Sequence, residues 1–289
     1  MSTGIAINLT AATLLLASIY CLVNVGLVTL YRSTGLLNFA QGQFVMLGAY
    51  VMVTVTSDLG YWLGLLVSAI VLAIVGWLSY HLLMRFMLGA DHFQKVVLSF
   101  LLAVIITQVV VMIWGTNSRP LEPSTDRNLH VADGVIPVYD LIASGLAVVV
   151  VVVLMMFMSR TITGLRMRAL SMNETLAVYN GIKVHRLAGI AWAIAGAGAA
   201  VAGVIYAQSS SVTLSLADVG LLAFPAAVLG GLDSIGGSIL GSVVVAGVLT
   251  VTGYYLGGQW SEIIVYSLLL AVLVVRPYGM FGRRVAQRI

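Results

Sequence analysis

The side chains of this sequence that could do chemistry fall into two groups, a cluster of amides and a long basic segment. The amides of Asn38, Gln41 and Gln43 interrupt the apolar run 31–50. Carboxamides donate and accept hydrogen bonds, but they are neither nucleophiles nor proton carriers. Because an amide that faces lipid is costly, we predict that these three side chains face a polar interior.

The basic segment, residues 159–186, is the longest charged stretch between apolar segments. Glu174 is its only acid. Its basic residues are Arg160, Arg166, Arg168, Lys183 and Arg186. Short loops rich in Lys and Arg resist translocation across a membrane, so we predict that this segment is cytoplasmic.

An apolar stripe runs through the same segment at helical spacing. Its members are Leu165, Ala169, Met172, Leu176 and Tyr179. The pattern predicts one amphipathic helix or two short helices, the second starting near the capping-box pair Ser171 and Glu174 and stopping at Asn180-Gly181. Such a stripe can rest on lipid headgroups or dock a soluble partner, and periodicity alone favours neither.

Sequence motifs for catalysis, nucleotide binding and metal binding are absent. The chain has no phosphate-binding loop and no Gly-x-Ser-x-Gly elbow, and its four histidines lack metal-ligand spacing. The single cysteine, Cys21, excludes an intrachain disulfide. We therefore predict no catalytic residue, no metal site and no cofactor in this chain. The few acids can be placed towards segment ends, which argues against an ion-coupled carrier.

Composition identifies an all-α polytopic membrane protein. Of 289 residues, 61% are hydrophobic and only 8% are charged, far from the values of soluble domains. The net charge of +4 resides in short loops and the C-terminus, so it does not indicate nucleic-acid binding. About nine segments (eight to ten) could cross the membrane. They are residues 5–30, 43–56, 61–84, 96–114, 138–158, 187–207, 215–231, 235–256 and 260–275.

When the loop 159–186 is placed in the cytoplasm and each segment crosses the membrane once, every other loop is assigned to one side of the membrane. Only Arg119 and Arg127 then lie outside, and the C-terminal tail lies in the cytoplasm. We expect residues 1–289 to form a single transmembrane domain.

Two of the segments are interrupted, 31–50 by its amides and 215–245 by proline and glycine. Backbone groups freed by such breaks must be buried in protein or line a cavity. Paired breaks in two halves of a membrane protein indicate a transport pathway. The alternative is that glycines such as Gly237 and Gly241 only allow close helix packing.

Four stretches resemble the LivH-like permeases, the membrane subunits of ABC importers for branched-chain amino acids. TGLLNFAQGQ followed by MLGAY, at residues 34–50, resembles the first signature of that family. The loop 164–184 resembles its coupling loop, and AFPAAVLGGLDS (223–234) and RPYGMFG (276–282) resemble its third signature and its tail. Together the stretches span nearly the whole chain in order.

The resemblance implies a bacterial inner-membrane permease that works by alternating access. Its implied partners are a second, LivM-like permease subunit, two cytosolic ATPases that hold ATP and Mg²⁺, an extracytoplasmic substrate-binding protein and membrane lipids. The implied pathway residues are Asn38, Phe39, Gln41, Gly42, Gln43, Phe224, Pro225, Gly230 and Gly231. The implied ATPase-coupling residues are Leu165, Arg166, Arg168, Ala169, Met172, Glu174, Leu176 and Gly181.

The sequence departs from the family at Gln43, where members often carry Glu, so the resemblance implies no negative charge at this position. The pathway composition suits branched-chain or other small apolar amino acids. Urea, short amides or aromatic acids are alternative substrates, and an ion-coupled secondary carrier or channel is the alternative from another class.

Overall fold

The structure, a computed structural model, describes residues 3–87, 91–121, 124–125, 127–131, 133–172 and 174–282. Within these ranges the chain forms helices joined by short connections. The helices are α1 (Thr3–Thr34), α2 (Gln41–Leu82), α3 (His92–Trp114), α4 (Val138–Arg160), α5 (Ile162–Met172), α6 (Glu174–Tyr179), α7 (Val184–Ser210), α8 (Asp218–Gly230), α9 (Ile235–Leu256) and α10 (Gly258–Val275). Short 3₁₀ turns cover Met84–Met87 and Leu214–Ala217.

The long helices are apolar enough to cross a membrane. Within the described residues seven qualify by length and hydropathy, namely α1, α2, α3, α4, α7, α9 and α10. The windows of α1 and α7 are mostly buried, whereas that of α10 is mostly exposed. α7 fits tightly between its neighbours because a Cβ at Gly196 or Gly203 would overlap the main chain of α2. Small residues thus let backbones approach at the centre of the bundle.

The 42-residue α2 is a hairpin that reverses at Gly60. Gly60 has φ 72° and ψ 172°, a conformation that favours glycine. Beyond it the chain returns alongside itself, since the Ser68 hydroxyl donates to the Gly48 carbonyl at 2.6 Å and Gly64 packs against Met52. The two arms, 41–59 and 61–82, therefore correspond to the predicted segments 43–56 and 61–84.

The bundle has two ends that differ in charge. The basic end carries Arg32, Arg85, Lys95, Arg160, Arg166, Arg168, Lys183, Arg186 and Arg276. At the opposite end Arg119 pairs with Val212 through the main chain, and the carbonyl of Arg127 accepts from Val138. This separation matches the predicted division of the loops. The tail residues 283–289 lie outside the described part of the chain.

The all-α polytopic prediction is confirmed for the helical bundle, with one addition. A small antiparallel hairpin joins β1 (Asn128–Val131) to β2 (Gly134–Pro137) at the opposite end. It rests on the start of α1, where the Val135 N–H donates to the Asn8 side chain at 3.0 Å. Four-residue strands in a polar loop give too short a period-2 pattern to be recognised in the sequence.

Candidate functional site

The first interrupted segment is the non-helical stretch 35–40 between α1 and α2. It carries the chain from the basic end of α1 back into the bundle before α2 begins. Its depth follows from its neighbours: the Gln41 amide donates to the carbonyl of Ala195 at 3.1 Å, and lies beside Gly26. At 1.5 Å per residue these contacts lie about 16 Å along α7 and about 12 Å from the end of α1. α2 therefore starts deep inside the bundle.

An amide network holds this segment in place. The Asn38 Oδ1 accepts from the Ala40 N–H at 3.1 Å, while its Nδ2 donates to the Gln41 Oε1 at 3.2 Å. Asn38 and Gln41 are 3% and 1% exposed, so the polar interior predicted for these two amides is observed. The network supplies partners for backbone that would otherwise be unsatisfied where the helix is interrupted.

The second interrupted segment lacks the break predicted at Pro225, because α8 is continuous from Asp218 to Gly230. Its non-helical part precedes α8 and enters from the opposite end. Val212 is fixed there by its pairing with Arg119, and the chain then runs through the 3₁₀ turn Leu214–Ala217 to the start of α8. The N-termini of α8 and α2 meet at a pair of glycines. A Cβ on Gly42 would overlap the Ala217 carbonyl, and one on Gly220 would overlap the Gly42 backbone. Side chains would keep these two helix ends apart.

A cavity of about 160 Å³ lies where the two segments meet. Its lining combines both helix starts with aromatic and aliphatic side chains: Leu27, Asn38, Phe39, Gln41, Gly42, Gly220, Leu221, Phe224 and Tyr266. Phe39 stacks on Phe100 with ring centroids 4.6 Å apart and lies 5.8 Å from the Phe224 ring. From the cavity α2 runs towards the opposite end while α8 runs towards the basic end, so two helix N-termini converge here. The start of α2 carries positive partial charge, whereas Asp218 in the first turn of α8 offsets that of α8.

The other predicted pathway residues lie away from this cavity. Pro225 is buried inside α8, and Gly230 and Gly231 lie at its basic end against Gly237 and Gly282. Gln43 is half-buried, and its Oε1 has no hydrogen-bond partner within the described residues. Close packing thus accounts for the glycines at the α8–α9 junction.

The predicted coupling segment lies on the surface of the basic end as two short helices, α5 and α6. Gly164, Met167 and Leu170 face the bundle, whereas the predicted stripe is exposed. Its large members are Leu165 (58% exposed), Met172 (81%) and Leu176 (59%). Within the described residues nothing covers this apolar face. α6 begins at Glu174, whose side chain lies outside the described part, and ends before Gly181 (φ 75°).

The two coupling arginines differ in environment. The Arg168 guanidinium donates to the Ser159 carbonyl at 3.3 Å, and its Nε is buried without a partner in the described chain. Arg166 is exposed on the other side of α5, beside Asn180. Arg168 thus fixes α5 to the end of α4, while Arg166 remains available at the rim.

A groove of about 950 Å³ separates α5 from the turn between α8 and α9. Arg168, Ala169 and Met172 line one wall, and Asp233 and Gly236 line the other. α8 thus runs from the cavity towards the wall of this groove that faces α5.

Sequence reasoning missed several residues around the cavity. Gly220 and Leu221 lie inside the interrupted segment but were not separated from its other apolar residues. Tyr266, on α10, carried no signal beyond an aromatic residue in an apolar run. Ser99, which accepts from the Phe39 N–H at 3.4 Å, also comes from a distant helix. Only the tertiary structure brings these side chains together.

Comparison with known proteins gives consistent results. A family model described as "Branched-chain amino acid transport system / permease component" matches residues 9–273. The permease LivH of Escherichia coli is 26% identical over 95% of this chain and 94% of its own length. BraD of Pseudomonas aeruginosa is 24% identical over 96% and 95% of the two chains. A probable LivH of Methanocaldococcus jannaschii is 25% identical over 92% and 89%.

A solved structure shares the fold. "PsaBC from Streptococcus pneumoniae in complex with Fab" aligns with a TM-score of 0.50 and 14% identity, covering 94% of each chain. The apolar helices and the relatives together identify a multi-pass protein of the inner membrane. The chain belongs to the family of permease components of branched-chain amino acid transport systems.

Proposed function

We propose that this chain is the permease subunit of an ATP-driven importer that carries branched-chain or other small apolar amino acids by alternating access. It does no covalent chemistry. A second, LivM-like permease subunit, two cytosolic ATPases holding ATP and Mg²⁺, and an extracytoplasmic binding protein complete the importer. The observation that carries the proposal is the meeting of two interrupted segments at an interior cavity.

The cavity composition suits an amino acid with an apolar side chain. Leu27, Phe39 and Phe224 offer apolar contact area, and the start of α2 offers positive partial charge to a carboxylate. At the start of α8 the carboxylate of Asp218 offsets the positive partial charge of the helix. Interrupted helices meeting near mid-depth are the usual construction of a substrate pathway in transporters. Gln43 lies outside the lining, so the proposed site does not depend on a charge at this position.

Energy from the ATPases would enter through α5 and α6. The exposed stripe of Leu165, Met172 and Leu176 would supply contact area, with Ala169 between them and Arg166 at the rim. Movement of α5 would close or open the groove against the α8–α9 turn, and α8 would carry the resulting displacement to the cavity. Glu174 and Gly181 would shape the second helix of this docking segment.

The proposal also fixes the membrane arrangement. The basic end is cytoplasmic, as is the C-terminus, because Lys and Arg concentrate there. The two arms of α2 count as two segments and α8 as a short one, which gives nine segments in a single transmembrane domain (1–289).

Uptake by reconstituted vesicles tests the proposal. Vesicles containing this chain with its permease partner, both ATPases and the binding protein should accumulate leucine, isoleucine or valine only when ATP is supplied on the ATPase side. Vesicles containing this chain alone should accumulate none under a proton or sodium gradient. Gradient-driven uptake by the chain alone would make it a secondary carrier and remove the proposal.

A further inference from the structure

A second groove at the basic end belongs to neither the cavity nor the apolar docking stripe. It lies between the end of the second arm of α2, the start of α7 and the connection from α6, and encloses about 930 Å³. Trp77 and His81 form one wall, and Lys183, Arg186 and Ile190 form the other. We call it the basic groove. An adjoining pocket of about 390 Å³ extends it to Arg166 on α5.

The charge of the basic groove has one sign. Lys183 and Arg186 line both pockets, Arg166 lines the adjoining one, and no Asp or Glu is among the described residues that line either. Lys183 and Arg186 are exposed, so their heads are accessible to a bound anion. α7 also begins at Val184, which directs the N–H groups of its first turn towards this end.

The apolar wall of the basic groove continues along the exposed surface of α2. Trp77 is stacked on His81 with centroids 4.0 Å apart and remains 44% exposed. Exposed side chains follow at helical spacing on the same arm: Ile74, Ile70, Leu66 and Leu63. From Trp77 to Leu63 this stripe is about 21 Å long. One leaflet is about half of the ~30 Å hydrocarbon core, so the stripe is long enough to contact an acyl chain along its whole leaflet.

We propose that the basic groove binds an anionic phospholipid, with the phosphate between Lys183 and Arg186 and an acyl chain along the Trp77 stripe. The occupant must combine negative charge with a long apolar chain, because cations and an extended apolar track meet at one place. Basic pockets between membrane helices on the cytoplasmic side take such headgroups. A tryptophan at the boundary suits the region where polar headgroups meet hydrocarbon.

An ATPase surface fits the basic groove less well. The docking stripe of Leu165, Met172 and Leu176 projects from α5 and α6, whereas Trp77 belongs to a helix that crosses the membrane. A soluble partner would have to enter between lipid and the α2 arm to contact it.

Quenching of Trp77 fluorescence by brominated lipids tests the proposal. The full chain is reconstituted in vesicles with increasing fractions of brominated phosphatidylglycerol or brominated phosphatidylcholine, and the Trp77→Phe variant defines the signal from the basic groove. The lipid fraction that gives half-maximal quenching should be about tenfold lower for brominated phosphatidylglycerol than for brominated phosphatidylcholine. Equal requirements for the two lipids in the unaltered protein would overturn the proposal without any charge variant.

The charge variants provide the second arm. Lys183→Gln with Arg186→Gln should abolish the preference for phosphatidylglycerol, whereas Arg85→Gln with Arg276→Gln, which removes the same charge from the same end, should retain it. An unchanged preference in the first pair would contradict the proposal. If Lys183→Gln with Arg186→Gln abolished ATPase binding but left the lipid preference intact, the basic groove would be an ATPase site and the lipid proposal would be overturned.

Discussion

The two interrupted segments meet at one cavity, but different interactions hold them. In the first, the Asn38 and Gln41 side chains bond to each other and to the backbone, and both are almost fully buried. In the second, the turn before α8 relies on main-chain bonds such as Leu216 N–H to the Thr213 carbonyl at 3.2 Å. Thr213 and Ser215 bond to each other at 2.8 Å in an exposed position.

Their surroundings differ as well. The first segment is fixed to α1 and α7, the most buried helices of the bundle, through Gly26 and Ala195. The second continues as α8 to the groove beside α5. A segment with few buried bonds and a link to the surface opens at lower free energy than one anchored in the core. We infer that the first segment is the fixed wall of the proposed pathway and that the second is the moving wall.

The largest effect is expected where the two walls touch. Gly42→Val would place a branched side chain against the Ala217 carbonyl and separate the two helix starts. Overpacking of this kind costs about 1–3 kcal/mol or more, and we expect ATP-driven uptake to fall about a hundredfold. Gly145→Val is the matched control, because nothing lies within 4 Å of its added Cβ. Normal uptake in Gly42→Val would mean that the contact is not part of the pathway.

A smaller effect is expected from uncoupling the moving wall alone. Ala169→Asp places a negative charge in the docking stripe. Because burial of this charge against an ATPase is unfavourable, substrate-stimulated ATP hydrolysis should fall about tenfold. Phe86→Asp, which adds the same charge at the same end outside the stripe, should leave stimulation unchanged. The chain should remain inserted in both variants. Full stimulation in Ala169→Asp would show that the stripe does not dock an ATPase.

Loss of one amide tests the fixed wall. Asn38→Leu removes the partner of the Gln41 Oε1 inside the bundle and should lower the free energy of unfolding by about 1–3 kcal/mol. We expect the rate of uptake to fall roughly fivefold, since a change of about 1 kcal/mol in a conformational equilibrium changes the populations by about this factor. Thermal unfolding in detergent and uptake in vesicles measure the two effects. Unchanged values for both would reduce the network to an incidental contact.

The smallest effect is expected in the turn before α8. Ser215→Ala removes only an exposed hydroxyl bond to Thr213. Stability should change by less than about 0.5 kcal/mol, as for other exposed positions. A loss as large as that of Asn38→Leu, measured by the same unfolding assay, would remove the distinction between the two walls.

The sequence was sufficient to predict the helical bundle and the interruption at the amides before α2. It placed the second interruption at Pro225 and the glycines of 230–237, whereas α8 continues through Pro225 and the non-helical stretch at the cavity precedes it. Hydropathy located the long apolar helices, and the amides between apolar residues marked the place where α2 starts. The spacing of Leu165, Ala169, Met172 and Leu176 predicted a face that is exposed in the structure. These features are local, so the identity of neighbouring residues determines them.

The sequence could not predict which residues meet. Tyr266 and Ser99 reach the cavity region from distant helices, and Gly42 meets Gly220 across 178 positions only because α2 and α8 start at the same depth. Gly60 fits the helix-packing spacing with Gly64, yet it forms the reversal of the α2 hairpin. Glycine serves both roles, and only the backbone conformation distinguishes them.

The most direct test of the fixed and moving walls is a pair of distances in the assembled importer. The single native cysteine, Cys21, is replaced by Ser, and spin labels are placed at Arg85 with Gly236 and, separately, at Arg85 with Thr34. Trapping the ATPases with bound ATP should change the first distance by about 2 to 5 Å, the range between a helix shift and a one-turn step, and leave the second distance unchanged. A change in the Thr34 distance with none at Gly236 would contradict the account.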